Sequence, residues 1–227
     1  MELARKVVVI TGAFGQLGRA MTQEALRQGA QCALLDRNVA QAPQGATAWP
    51  VDLSSLRDAK RVMDEIGAQH GRIDGLVNIA GGFRWQTLAG SDDLQEWQAL
   101  FAMNLMTCVN ASKAALPHLE RSAAGRIVNI GAMGALKGAS GMGAYAASKA
   151  GVMRFTEALA DEVKLQGITV NAVLPSTIDT PQNRADMPDA KFDQWVKAEE
   201  IARAIAFLLS DAASAITGAL LPVTGKM

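Results

Sequence analysis

The sequence predicts an α/β fold: a single doubly wound domain whose parallel sheet of about seven strands carries helices on both faces. Three observations predict it. Short β-rich runs alternate with longer helical stretches through all 227 residues, the pattern of a parallel sheet covered by its own crossovers. The first run, Val7-Val8-Val9-Ile10, is continuously apolar, as a strand buried on both faces must be. No linker, low-complexity segment or repeat interrupts the alternation, so residues 1–227 read as one domain.

The elements follow in order. A helix over 16–28 is closed by Gly29, and a second strand at 32–35 ends at Asp36. A third strand at 47–51 is shortened by Pro50. Ser54 or Ser55 caps a helix reaching Gln69, and a fourth strand covers 73–78. One long helix spans 92–119, with Pro117 near its end. A fifth strand at 127–130 leads into a Gly/Ala-rich loop over 131–143. A helix over 145–165 stops near Gly167, and a sixth strand at 168–174 is cut off by Pro175. A helix at 199–209 and a last strand at 220–223 complete the chain.

Composition narrows the function. Hydrophobic residues make up 49% and charged residues 19%, enough for a core and unlike a disordered chain. Lys plus Arg and Asp plus Glu balance at 22 each, and nothing in that balance suggests a nucleic-acid or anionic-membrane partner. No stretch reaches the roughly 18 apolar residues of a membrane span. The N-terminus lacks the long apolar run and cleavage site of a signal peptide. Cys32 and Cys108 lie far apart in apolar surroundings, as in a reducing compartment. These readings predict a cytoplasmic protein. His70 and His118 fall near helix ends, where exposure is expected, and no carboxylate or cysteine cluster accompanies them. No metal site is predicted.

Ligands on such sheets bind at the carboxyl ends of the strands. The first strand ends in TGAFGQLG, with Gly12, Gly15 and Gly18 spaced three apart. A glycine-rich turn opening a helix lets backbone and free N–H groups approach a pyrophosphate. Leu17 lies inside that turn. Asp36, at the end of the second strand, can accept from both ribose hydroxyls and would repel a 2′-phosphate. Arg37 beside it can hold a 2′-phosphate or face solvent. NAD is therefore the predicted cofactor, with NADP as the alternative. Asp52 can accept from the adenine amino group or cap the next helix, and Leu53 adjoins it.

Asn78-Ile79-Ala80-Gly81 closes the fourth strand, and Tyr145-Ala-Ala-Ser-Lys149 follows the Gly-rich loop. Residues four apart share a helix face, so Lys149 can sit near the Tyr145 hydroxyl. At about 4 Å and an effective dielectric of about 20, a unit charge pair interacts by roughly 4 kcal/mol. That favours the phenolate and makes the only tyrosine a usable proton donor and acceptor. With these motifs the chain resembles the short-chain dehydrogenase/reductase family over essentially its whole length. The resemblance implies a Rossmann-type fold and assigns further roles. Lys149 binds the nicotinamide ribose, and Asn78, Ala80 and Gly81 border the ribose and central strand. Asn104 resembles the helix asparagine that holds a relay water, although as a bare residue it can equally be a core polar group. Pro175 opens a segment resembling the one that closes over the nicotinamide, with the Ile178 backbone and Thr180 hydroxyl as contacts. Family members assemble through the long helix and the tyrosine helix, so a homodimer or homotetramer is expected.

Two departures matter. Typical members carry a serine thirteen residues before the tyrosine, where this chain has Ala132, and Gln16 stands where their middle glycine belongs. Dihydropteridine reductases resemble the chain in both, and in the segment Val173 to Trp195. Phe83 follows Ala80-Gly81-Gly82 as an aromatic does in theirs, although Asn104 departs from that branch. Phe83, Trp85, Ala132 and Met142 are the expected substrate pocket. The expected activity is reduction of a small conjugated C=N or C=O substrate, such as quinonoid dihydropterin. The alternatives are a generic alcohol/ketone dehydrogenase and a dinucleotide-binding module without turnover.

Overall fold

A computed structural model describes residues 2–227. It contains β1 (Val7–Thr11), α1 (Gln16–Arg27), β2 (Gln31–Asp36), β3 (Ala46–Pro50), α2 (Leu56–His70) and β4 (Gly75–Asn78). There follow α3 (Gln95–Leu100), α4 (Thr107–Leu119), β5 (Arg126–Ile130), α5 (Gly143–Val163), β6 (Thr169–Pro175), α6 (Pro181–Asp186), α7 (Ala198–Leu209) and β7 (Leu220–Val223). All seven strands form one sheet in the order β3-β2-β1-β4-β5-β6-β7, and every pairing is parallel. This is the predicted single α/β domain.

Strand alternation divides the core into two layers. Val8, Ile10, Cys32 and Leu34 face α1 and α7, while Val9, Ala33, Leu35 and Leu76 face α2, α4 and α5. Each layer is apolar because the strands supply a hydrophobic side chain to both faces. Truncating a fully buried member such as Ile10 to Ala typically costs about 2–5 kcal/mol. Pro50 is tolerated because β3 is an edge strand, where its missing N–H leaves no ladder partner unpaired.

Three local features differ from the sequence expectation. The long helix is not uniform: between α3 and α4, residues Phe101–Met106 form a π-helical turn. Such wide turns cluster at functional sites, and this one carries Asn104. A short helix, α6, was not expected. Its signal is the Thr180-Pro181 pair, an N-cap followed by a helix-compatible proline, with the Asn183 N–H donating to Thr180 Oγ1 at 3.1 Å. The histidines are not surface groups. His118 is buried against Gly67, with Nε2 at 2.8 Å from Asp64 and Nδ1 at 2.9 Å from Arg121. His70 is half-buried on Gln31. A helix-end position exposes a residue only if no neighbouring helix covers it, and α2 packs against α4.

Candidate active site

The chain order places β1 between β2 and β4, so a crevice opens where connections diverge, at the carboxyl ends of β1 and β4. Thr11 and Asn78 are register partners at that edge. Thr11 Oγ1 accepts from the N–H groups of Ile79 and Ala80 at 3.0 and 3.1 Å, joining the glycine turn to the segment after β4. Thr11 was missed as a positioning residue because a strand-end threonine has no distinctive pattern.

The glycine turn fits a dinucleotide. Gly15 is the N-cap of α1, and no side chain occupies the helix N-terminus, leaving its N–H groups for a pyrophosphate. Gly12 has φ +61°, and a Cβ there would stand 2.8 Å from the Ala80 backbone. A Cβ on Gly18 would meet the Gly12 carbonyl oxygen at 2.2 Å. Both glycines are thus required by close backbone packing. The Leu17 and Leu53 side chains are buried in the core, so only their main chain can meet a cofactor. The Leu53 carbonyl already accepts from Asn110 Nδ2 at 2.9 Å.

Asp36 reaches back to the turn: its carboxylate accepts from the Phe14 N–H at 3.3 Å and the Arg37 N–H at 2.8 Å. The Arg37 side chain is exposed. The Asp52 carboxylate accepts from the Ser54 N–H at 2.9 Å, which holds its pKa below the ordinary value. Ser55, not Asp52, caps α2 by accepting from the Asp58 N–H.

Asn78 and Asn129 are also register partners, and Asn78 Nδ2 donates to Asn129 Oδ1 and to Ser112 Oγ. This buried polar seam stiffens the strand ends beneath the crevice. Lys149 lies above it, 6% exposed, and its ammonium donates to the Ile130 carbonyl oxygen at 2.8 Å. Burial lowers its pKa to about 8. Burial also pushes Tyr145 up to about 12. The phenol is therefore held in its protonated form, and the main-chain carbonyl is the ammonium's hydrogen-bond acceptor. The four-residue spacing predicts that Lys149 favours the Tyr145 phenolate; instead burial raises the phenol and the ammonium donates to the Ile130 carbonyl, a partner that spacing within one helix cannot reveal.

Asn104 is 1% exposed. Its Oδ1 accepts from the Gly82 N–H at 2.8 Å, while its Nδ2 donates to the Gly82 carbonyl and to Ser148 Oγ at 3.1 and 2.9 Å. Both amide hydrogens are spent within the protein. Ser148 in turn donates to the Tyr145 carbonyl at 2.8 Å. Ser148 was legible in principle, since it lies between the tyrosine and lysine of one motif. A Cβ on Gly81 would stand 2.6 Å from Asn104 Oδ1 and 3.5 Å from Lys149 Nζ, so only glycine fits between them.

The segment after β6 bends toward the same edge of the sheet. Pro175 pairs with Val223, and Ile178 bridges to Val196. The Ile178 carbonyl accepts from Asn183 Nδ2 at 2.8 Å, which leaves its N–H for a ligand. Thr180 accepts a capping bond but retains its own hydroxyl hydrogen to donate. On the substrate side, Phe83 meets the Tyr145 ring edge-on with centroids 5.0 Å apart. Ala132 is buried and offers no hydroxyl, Met142 lies over Gly134, and Ser140 is exposed on the loop. Both cysteines are free and buried, and burial pushes their thiols up to about 12.

Comparison with known proteins agrees with this geometry. The short chain dehydrogenase family model matches residues 6–191. The chain is 36% identical over 242 residues to the 3-oxoacyl-[acyl-carrier-protein] reductase FabG of Escherichia coli (strain K12), covering 100% of this chain and 99% of that protein. It is 32% identical over 242 residues to the acetoacetyl-CoA reductase of Allochromatium vinosum, covering 98% of each. Among solved structures, the aldohexose dehydrogenase AldT of Thermoplasma acidophilum superposes with a TM-score of 0.91 at 30% identity, covering 99% of this chain and 94% of that one. No helix among the described residues is long and apolar enough to cross a membrane. The glycine turn, the helix carrying Tyr145 and the buried Lys149, and these full-length matches together make the chain a member of the short-chain dehydrogenase family, an NAD(P)-dependent oxidoreductase.

Proposed function

We propose that the protein uses NADH to reduce a small acceptor whose C=O or C=N bond is activated by its own conjugation, quinonoid dihydropterin and quinones being the model class. The observation that carries this reading is Ala132, 5% exposed and without a donor at the position where typical relatives place a serine. An oxyanion donor of that kind is worth about 10²–10³ in rate. A plain ketone needs it, whereas a conjugated acceptor spreads the incoming charge over several heteroatoms.

The bound nicotinamide supplies the hydride. Tyr145 gives its hydroxyl proton to the acceptor heteroatom as the electron pair of the double bond moves there. Lys149, one helical turn on, would favour the phenolate left behind as the positive charge on the same helix face. Asn104 contributes by position, tying Gly82, the neighbour of Phe83, to Ser148, which donates to the Tyr145 carbonyl. The main chain of 12–18 and 178 with the Thr180 hydroxyl would hold the cofactor.

NADH oxidation followed with quinonoid dihydropterin, an o-quinone, acetoacetyl-CoA and an aliphatic ketone tests the reading. Turnover is expected with the first two and little with the last, and Ala132→Ser should improve ketones relative to quinones. Ordinary rates on plain ketones alone would overturn it. Efficient turnover of acetoacetyl-CoA alone would favour a second reading as a 3-oxoacyl thioester reductase, which the names of the relatives support.

Asp36 supports NADH over NADPH, because a carboxylate at the end of β2 would repel a 2′-phosphate bound beside it. Asp36→Ala should narrow the preference, read as the ratio of kcat/KM for the two nucleotides. A tenfold or greater wild-type preference for NADPH would mean that Arg37 decides instead. A homodimer or homotetramer is the expected assembly, and light scattering at micromolar concentration that returns a monomer would refute it.

A further inference from the structure

The segment from Gly82 to Gln86 is a short bridge fixed at both ends. At one end Asn104 pairs with both main-chain groups of Gly82. At the other, the Gln86 N–H donates to the Gly141 carbonyl oxygen at 2.9 Å, crossing from the loop after β4 to the loop after β5. Between these anchors stand Phe83, edge-on to Tyr145, and Trp85.

Trp85 seats the pyrrole edge of its indole on Gly141. A Cβ at Gly141 would fall 2.0 Å from Trp85 Nε1 and 2.1 Å from Cε2, and Gly141 has φ +73°. A side chain there is excluded twice, by the indole and by the left-handed backbone. The indole is otherwise 63% exposed and Phe83 55% exposed. Neither side chain is fixed by burial in the core, so its position depends on the contact it makes, Trp85 with Gly141 and Phe83 with the Tyr145 ring.

We infer that Trp85 is a positioning residue: seated on Gly141, it latches the 82–86 bridge across the loop after β5 and so fixes Phe83 against the ring of Tyr145. The latch sets the orientation of the proton donor and forms one aromatic wall of the acceptor site. Its kinetic consequence rests on Tyr145 being the proton donor, as proposed above. A misplaced donor loses rate steeply, because proton transfer requires hydrogen-bond reach. Phe83 meets that ring edge-on with centroids 5.0 Å apart, so displacing it would open the Tyr145 ring to water.

Tyr145 is the only tyrosine in the chain, so tyrosinate absorbance after a pH jump reads this residue without any substrate. Trp85→Ala and Gly141→Ala are each expected to move that titration down toward the ordinary value of about 10. Each should also lower kcat on the quinone by about tenfold or more, with NADH affinity unchanged. Trp85→Phe, which retains a ring on the glycine, should recover most of both. The double variant should be no worse than the worse single variant, since one latch cannot be lost twice. A tyrosine titration identical to wild type in Trp85→Ala overturns the latch. A shifted titration with unchanged kcat, or losses that multiply in the double variant, overturns the positioning role. If no acceptor is turned over, the functional reading fails while the titration still decides the latch. If Gly141→Ala does not fold by circular dichroism, the comparison of Trp85→Ala with Trp85→Phe decides alone.

Discussion

Replacing Tyr145 with phenylalanine should lower turnover by about 10²–10⁴-fold, the range of a positioned general acid, while leaving NADH affinity within about twofold. The substitution keeps the ring and its edge-on contact with Phe83 and removes only the hydroxyl. Burial pushes this phenol up to about 12, so the hydroxyl carries its proton throughout the neutral range. That is the form needed to donate in the reductive direction. The reverse oxidation needs the phenolate and should quicken as pH rises. Steady-state kinetics with fluorescence titration of NADH checks both parts, and wild-type turnover in Tyr145→Phe would sink the mechanism.

Lys149→Ala should be comparably damaging in kcat, by about 10²–10³, and unlike Tyr145→Phe should also weaken NADH binding. The ammonium is buried and is the donor to the Ile130 carbonyl, so its loss leaves that oxygen unpaired and opens a void beneath the catalytic helix. Its lowered pKa gives a pH signature. Lys149 is charged below about 8 and neutral above it, so reduction by the wild type should fall as pH rises through about 8. Burial penalises the charged form, so the associated loss of stability is present below about 8 and fades as pH climbs toward the ordinary lysine value. A rate profile flat to pH 10 would show that the charge is not required. Unaltered NADH affinity in Lys149→Ala would remove its ribose contact from the scheme.

Much of the site was legible because it is built from local rules. The glycine turn follows a buried strand and opens a helix, and the Tyr145–Lys149 spacing is one helical turn. Each depends only on residues a few positions apart. Asn104 was found as a residue but not as a clamp. Its partners, Gly82 and Ser148, lie 22 and 44 positions away, and nothing periodic connects them. The π-helical turn that carries it escaped detection because one extra residue in a turn leaves a helical pattern almost unchanged. Trp85 was expected to line the substrate pocket. Its seat on Gly141 depends on two loops meeting, and loop conformation is set by contacts rather than by propensity.

The sequence by itself determined the sheet, its parallel sense and the edge at which chemistry occurs. Strand-to-helix alternation forces crossovers, and the apolar runs demand cover on both faces. It also singled out Tyr145 and Lys149 as the candidate acid and its cationic neighbour. Tertiary structure decided their states: which carbonyl receives the Lys149 ammonium, how far burial lifts Tyr145, and that His118 is enclosed between α2 and α4. These outcomes depend on desolvation and on hydrogen-bond partners from distant segments. Such terms exist only once the layers have closed.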